Sequence, residues 1–336
     1  MSVRGQGVVT MVEINQVLEE IVSDMHERFG RSVTDTYRLN RGWLNVKWRM
    51  VTDQGPVFVK FYHPDRYKLH VPEKRKKIEL TLSLQQRLHE SGLSCPEVYA
   101  SAERVFMQET PAGHHYAVLS WVEGNVPVPG RMSDSHMVDL GKTTGHMHQL
   151  LQQVPLAKQA WKPDQAACLK ELQANLEQAI QSNNLRLTAL LEKAIRNIQT
   201  LDFERFSECR VGWLHWDLWA DNLLLDAERI AAIVDFDRMD VAYPEIDIAR
   251  AVLSGAWELG GIRLDTVHAF LHGYREHAEA PKGLLLRAIH MLYLIESVWW
   301  LRTEIYEETG VPARFLQEME WLTEQWDRLP DLIGHL

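Results

Sequence analysis

One short stretch of the chain gathers a histidine, aspartates and an asparagine: Leu214-His215-Trp216-Asp217-Leu218-Trp219-Ala220-Asp221-Asn222, followed by Val234-Asp235-Phe236-Asp237. Asn222 lies five residues after Asp217, and Asp235 thirteen residues after Asn222. Phosphoryl transfer to a hydroxyl needs groups of these kinds. One carboxylate accepts the proton of the attacking hydroxyl, and an amide with a second carboxylate holds Mg²⁺ on the nucleotide phosphates. The apolar runs Leu223-Leu224-Leu225 and Ile230-Ala231-Ala232-Ile233-Val234 read as two short strands joined by the turn Asp226-Ala227-Glu228-Arg229. Such a hairpin returns Asp235 toward Asn222, with Asp217 on the loop just before.

The arrangement resembles the catalytic loop and metal motif of the aminoglycoside phosphotransferase and choline kinase superfamily, cousins of the protein kinases. In that family His-x-Asp-x-x-x-x-Asn precedes a strand ending in Ile/Val-Asp-Phe-x. Either string alone arises readily by chance, but here both occur with a strand-turn-strand between them, which is the context such motifs require. The resemblance implies an α+β class and a two-lobed protein-kinase-like fold, with a small N-lobe built on an antiparallel sheet and a mainly helical C-lobe. It implies ATP and Mg²⁺ as cofactors. Carried over residue by residue, it makes Asp217 the catalytic base and Asn222 and Asp235 the metal ligands. His215 becomes a structural residue bracing the loop, and Asp237 a neighbour that touches metal or orients the loop. Tyr243-Pro244-Glu245-Ile246-Asp247-Ile248-Ala249 matches the family's Pro…Asp-Leu-Ala element, which gives Asp247 a bracing role at a helix start.

These motifs need elements that hold them. A chain of 336 residues has room for two lobes. The expected division is 1–119 for the N-lobe, 120–125 for the hinge and 126–336 for the C-lobe. Ile14 to Phe29 has helical apolar spacing, and Val33 to Leu39, Asn45 to Thr52 and Pro56 to Tyr62 read as successive strands. Between the first two strands lies Asn40-Arg41-Gly42-Trp43-Leu44-Asn45, the place for a phosphate-covering loop, although a plain hairpin turn explains Gly42 as well. Lys60 is the one charge in Val57-Phe58-Val59-Lys60-Phe61. It reads as the third-strand lysine that holds nucleotide phosphates, the alternative being a lysine on a solvent-facing side. Its partner in the resembled family is a glutamate on the following helix, here Pro72 to Glu90, where Glu79 is the choice and Glu73 the fallback. The run Tyr116 to Gly124 is placed as strand and hinge, with main-chain groups of Ser120, Trp121 and Val122 facing adenine.

Acceptor residues are harder to read. Leu284 to Glu308 is expected as one helix, on which Glu296, Trp299, Trp300 and Glu304 share a side by i, i+3 and i+4 spacing. An acidic, aromatic surface suits a cationic acceptor by charge and cation–π contact, and it suits a sugar by stacking. Core packing explains tryptophans at helical spacing equally well. Trp216 and Trp219 flank the base itself and are also candidates for acceptor contact. Many relatives carry Gly where Trp216 stands, so no relative's acceptor transfers directly.

Composition trims the remaining classes. The net charge of −10 disfavours nucleic acid and anionic membrane partners and mildly favours a cationic or neutral acceptor, and the resemblance implies that this acceptor is a small molecule with a hydroxyl group. No apolar run is long enough for a membrane span and no secretory signal is apparent. Three scattered cysteines fit a reducing cytoplasm. Two rivals stay open: a protein Ser/Thr kinase, for which Asp235 to Asp247 is a short activation segment, and a non-catalytic nucleotide-binding protein on the same fold.

Overall fold

The structure, a computed structural model, describes residues 11–39, 46–156, 158–306 and 308–336. The chain divides into two compact units, Met1–Gly124 with Ala231–Asp237, and Asn125–Ile230 with Arg238–Leu336. A short strand-turn segment late in the sequence therefore belongs to the first unit.

In the first unit, α1 (Met11–Phe29) precedes β1 (Val33–Leu39), β2 (Val46–Thr52) and β3 (Gly55–Tyr62). Then come α2 (Pro64–Tyr67), α3 (Pro72–Glu90), β4 (Val98–Tyr99), β5 (Gln108–Glu109) and β6 (His115–Ser120). The strands run in the order β1-β2-β3-β6-β4, with β5 also on β6, and every pairing is antiparallel. Period-2 alternation decides what each face buries. Trp48, Met50, Val57, Val59, Phe61, Tyr116 and Val118 pack with Ile14, Val17, Ile21 and Met25 of α1. Phe58, Tyr62, Ala117 and Leu119 pack with Ile78 and Leu82 of α3. A helix thus covers each face of one sheet, and Lys60 lies in sequence between two residues of the α3 face.

The second unit is mainly helical: α4 (Asp134–Leu151), α5 (Gln165–Gln181), α6 (Leu185–Thr200), α7 (Glu245–Ala256), α8 (Leu264–Tyr274), α9 (Leu284–Trp300), α10 (Thr303–Tyr306) and α11 (Val311–Gln325). β7 (Gly212–Leu214) pairs antiparallel with β10 (Asp240–Ala242) and carries the chain into the motif. β8 (Leu223–Leu225) and β9 (Ile230–Ile233) follow at the expected positions, and the division between units falls after Ile230. Helices α4 and α8 approach so closely that a Cβ on Gly273 would stand 1.9 Å from the Val138 carbonyl oxygen, and one on Gly141 2.0 Å from that of Phe270. Only glycine fits at either position. Every residue of α7 is buried, the mark of a central helix. The long helix expected over 284–308 is corrected: α9 ends at Trp300, where Leu301 leaves helical geometry at ψ 67° and is fully buried. Among the described residues no helix is long and apolar enough to cross a membrane.

Candidate active site

In the first unit the sheet presents Lys60 at 4 % exposure. A buried ammonium is costly unless anions meet it. Two do: Asp235 Oδ1 at 2.6 Å and Asp237 Oδ2 at 2.7 Å, and the Tyr67 hydroxyl donates to the same Asp237 oxygen at 2.7 Å. Lys47 stands directly across the β2–β3 ladder from Lys60 and reaches Asp235 Oδ2 at 3.3 Å. Like charges opposite one another in a sheet repel, and the Asp235 carboxylate, bonded to both, offsets that repulsion. Burial by itself would lift the Asp235 carboxyl; the charges of Lys60 and Lys47 outweigh it and hold the group well below the usual carboxylate range. Burial likewise works against the charged form of Lys60, and Asp235 and Asp237 overcome it, keeping the amine protonated. Asp235 itself sits at φ +64°, a left-handed conformation that aspartate adopts more readily than most residues.

Glu79 is not the partner of Lys60. Its two carboxylate oxygens accept the backbone N–H groups of Phe106 and Met107, at 2.9 and 2.8 Å, and so satisfy donors just ahead of β5. Lys60 already has two aspartates, so it places no demand on α3. Glu73 is exposed in the first turn of that helix. At the end of β6, Ser120 donates its N–H to the Glu97 carbonyl at 2.9 Å and accepts the Glu97 N–H on Oγ at 2.9 Å. Trp121 and Val122 follow beyond the ladder, half-buried, with the Trp121 ring under Arg49 at 5.1 Å. The Gly42 loop lies outside the described residues.

In the second unit Asp247, at the first turn of α7 and fully buried, grips the motif loop by its backbone. Its Oδ2 accepts from the His215 N–H at 2.7 Å and its Oδ1 from the Trp216 N–H at 2.8 Å. His148 of α4 bonds Asp247 Oδ2 through Nε2 at 3.2 Å, while its Nδ1 meets the Tyr274 hydroxyl at 3.0 Å. Further round, Asp217 N–H donates to His215 Nδ1 at 3.3 Å, and Ala220 N–H to Ser254 Oγ at 2.6 Å. Asn222 Nδ2 donates to the Asp217 carbonyl at 2.8 Å. Trp216 is held at φ +67°, a strained conformation for a bulky residue. With its backbone so fixed, the loop leaves the Asp217 carboxylate partly exposed, its partner being Arg238 at 3.3 Å, itself 64 % exposed. A surface pair of this kind binds weakly and opens readily.

Beside this loop Trp219 packs on Phe315 of α11 at 5.0 Å, and Phe315 stacks on Trp300 of α9 at 4.7 Å. Arg250 of α7 lies over Phe315 at 4.9 Å and bonds Glu296 of α9 at 2.8 Å, and its other nitrogen bonds Glu318 of α11. Of the acceptor candidates, Trp219, Trp300 and Glu296 therefore come together. Trp216 stands apart, edge-on to Trp161 at 5.9 Å. Trp299 does not join them: it is 61 % exposed, on another side of α9. Glu304, beyond the end of α9, lies 3.8 Å from Arg302. Lys47, Arg238, Arg250, Phe315 and Glu318 were not legible as site residues. Arg250 did carry a signal, as the single basic residue in the apolar run of α7.

Comparison with known proteins follows the same lines. The model of the phosphotransferase enzyme family matches residues 36–280. A homoserine kinase from Rhizobium meliloti (strain 1021) is 26 % identical over 260 residues, 72 % of this chain and 73 % of that protein. Among solved structures, a microcompartment-associated aminopropanol kinase superposes with a TM-score of 0.63 at 17 % identity, over 96 % of this chain and 99 % of its own. An amicoumacin kinase in complex with AMP-PNP, Ca²⁺ and Ami superposes with a TM-score of 0.61 at 16 % identity, over 94 % of this chain and 96 % of its own. At these identities the solved structures establish the shared kinase-like fold.

Proposed function

The chain belongs to the phosphotransferase enzyme family and is a small-molecule kinase with a hydroxyl acceptor; on that premise we propose that ATP is its donor, Mg²⁺ its metal and Asp217 its base. The observation that carries the assignment of the base is the motif loop. Asp247 and Ser254 hold its backbone, while among the described residues the Asp217 side chain pairs with an exposed arginine. A carboxylate so presented can orient an acceptor hydroxyl and take its proton as the oxygen attacks phosphorus.

Asp235 and Asn222 are the proposed metal ligands, because oxygen donors of these kinds suit a hard divalent cation. Asp235 offers a carboxylate kept ionised by two lysines, and Asn222, with Nδ2 committed to the Asp217 carbonyl, offers its amide oxygen. When bound, Mg²⁺ would neutralise charge on the transferred phosphoryl group. Lys60 and Lys47 would bind the nucleotide phosphates, and main-chain groups of Trp121 and Val122 would take the adenine. The kinases of homoserine and aminopropanol among the relatives support a compact hydroxyl compound as acceptor.

The test is ADP release from ATP and Mg²⁺ against a panel of aminoglycosides, macrolides, choline, ethanolamine, homoserine and simple sugars. Acceptor-dependent release should fall by roughly 10²–10⁴ in Asp217→Asn, with ATP binding retained. Undiminished turnover in that variant would remove Asp217 as base. Failure of the wild-type protein to bind ATP would remove the reading altogether.

A further inference from the structure

Lys60 is caged by two aspartates and two tyrosines. Its Nζ lies 2.6 Å from Asp235 Oδ1, 2.7 Å from Asp237 Oδ2 and 5.6 Å from the centroid of the Tyr62 ring. The Tyr67 hydroxyl donates to that same Asp237 oxygen at 2.7 Å, and the Tyr67 ring stands edge-on to Tyr62 at 5.0 Å. Tyr62 is fully buried, and its own hydroxyl has no hydrogen-bond partner among the described residues. All five side chains belong to the first unit. Local sequence shapes the cage. Asp235 turns the chain at φ +64° and a 3-10 turn over Phe236–Arg238 follows, so that carboxylates two residues apart converge on one ammonium. Tyr67 closes α2, a single turn that opens on Pro64, with His63 Nδ1 accepting the Asp65 N–H at 3.2 Å and Lys68 behind it in left-handed geometry.

Both oxygens of Asp235 are occupied by ammonium groups, Lys60 on Oδ1 and Lys47 on Oδ2. A divalent cation on either oxygen meets the charge of the lysine already there, so Asp235 takes the cation by yielding a lysine. A buried ammonium released in this way is costly unless a second anion stays with it. Glu79, the partner expected from the sequence, is bonded to the Phe106 and Met107 N–H groups and is not that anion. Asp237 is in place for it.

We propose that Asp237 is the standing counter-ion of Lys60 and that the Tyr67 hydroxyl fixes it there, which leaves Asp235 free to change partners between Lys60 and a divalent cation. Asp237 and Tyr67 are then positioning residues, acting through Lys60 and not on the reacting atoms. This rests on the kinase reading above, whose metal and phosphates it serves. A hydroxyl suits the task because it is a neutral donor: it directs the Asp237 carboxylate without bringing a positive charge to rival Lys60.

The experiment titrates the full chain with Mn²⁺, in place of Mg²⁺, at saturating ADP and reads the loss of the free-ion EPR signal, so that no turnover is involved. Asp237→Asn leaves Asp235 as the one carboxylate on Lys60 and should weaken Mn²⁺ binding by roughly tenfold or more. In a Lys60→Met background the same substitution should matter by less than about twofold, because no ammonium then needs a counter-ion. A metal ligand, or a plain neighbouring charge, would weaken binding equally in both backgrounds. Tyr67→Phe removes one oxygen and should weaken Mn²⁺ binding roughly threefold to tenfold by itself, with no further loss in the Asp237→Asn or Lys60→Met background. Should Asp237→Asn fail to fold, Tyr67→Phe with and without Lys60 carries the same test. Wild-type Mn²⁺ affinity in either single variant, or equal losses with and without Lys60, would overturn the proposal. Phosphoryl transfer by the wild-type protein alongside such a result would leave the kinase reading standing. A wild-type protein that binds neither ADP nor Mn²⁺ removes the kinase reading, and this proposal with it.

Discussion

Lys60 Nζ lies 2.6 Å from Asp235 Oδ1, and the other oxygen of the same carboxylate takes Lys47, the residue opposite Lys60 in the sheet. Two lysines that would repel one another are thus joined by one aspartate. Lys60→Met should raise the KM for ATP by about 10- to 100-fold, the worth of a charge-assisted contact. Lys47→Met should do less, since its bond is longer. Steady-state ATP titrations of both variants decide the matter, and a Lys60→Met enzyme with wild-type ATP KM would remove the phosphate role.

Glu79 satisfies the N–H groups of Phe106 and Met107 and takes no part in the Lys60 cluster. Its loss should therefore cost stability more than nucleotide affinity. Glu79→Ala is expected to destabilise the protein by about 1–3 kcal/mol, because two N–H groups lose a charged acceptor. ATP KM should move less than in Lys60→Met. Chemical denaturation and ATP titration of one preparation would test both statements, and a Glu79→Ala protein of native stability with crippled ATP binding would contradict them.

Asp247 holds His215 and Trp216 by their backbone, and Trp216 is strained. An amide has one acceptor oxygen where the carboxylate has two, so Asp247→Asn leaves one of the two N–H groups without a partner. The expected result is a kcat lowered at least tenfold by misplacement of Asp217, with ATP KM little changed, and a stability loss of about 1–3 kcal/mol. A larger effect on ATP KM than on kcat would argue against a role confined to the loop.

His290 gives a pH dependence with a definite sign. It is buried against Trp326 at 4.5 Å, and its Nε2 has no hydrogen-bond partner among the described residues. Burial, with the charge of Arg205 added, pushes its pKa down from 6.5 to about 4. Between those values the unfolded chain binds a proton that the folded chain does not, so this contribution is present above pH 6.5 and is lost as pH falls toward 4. The full effect is on the order of 3 kcal/mol. Denaturant midpoints for wild type and His290→Gln across that range should converge as pH falls, and parallel curves would show that His290 does not titrate this way.

The chemistry and the order of elements were legible because their signals are local. His215, Asp217, Asn222 and Asp235 stand within one short run, and strand alternation around Lys60 spans only β3. Bends and pairings that depend on distant chain were not legible. The break of α9 at Trp300 has no glycine or proline to announce it in the residues that follow at once. Trp299 and Trp300 are neighbours in sequence, yet one faces solvent and the other stacks on Phe315.

What the sequence by itself determined is the order and spacing of the candidate groups His215, Asp217, Asn222 and Asp235, because spacing along a chain is covalent information. What only the tertiary structure decided is which charge answers which. Lys60 finds Asp235 across 175 residues, and Arg250 finds Glu318 across 68. A glutamate on a helix reads the same whether it faces water, caps a distant backbone as Glu79 does, or lies buried against an arginine as Glu296 does. Burial and a partner's position separate these cases, and both are properties of the folded chain.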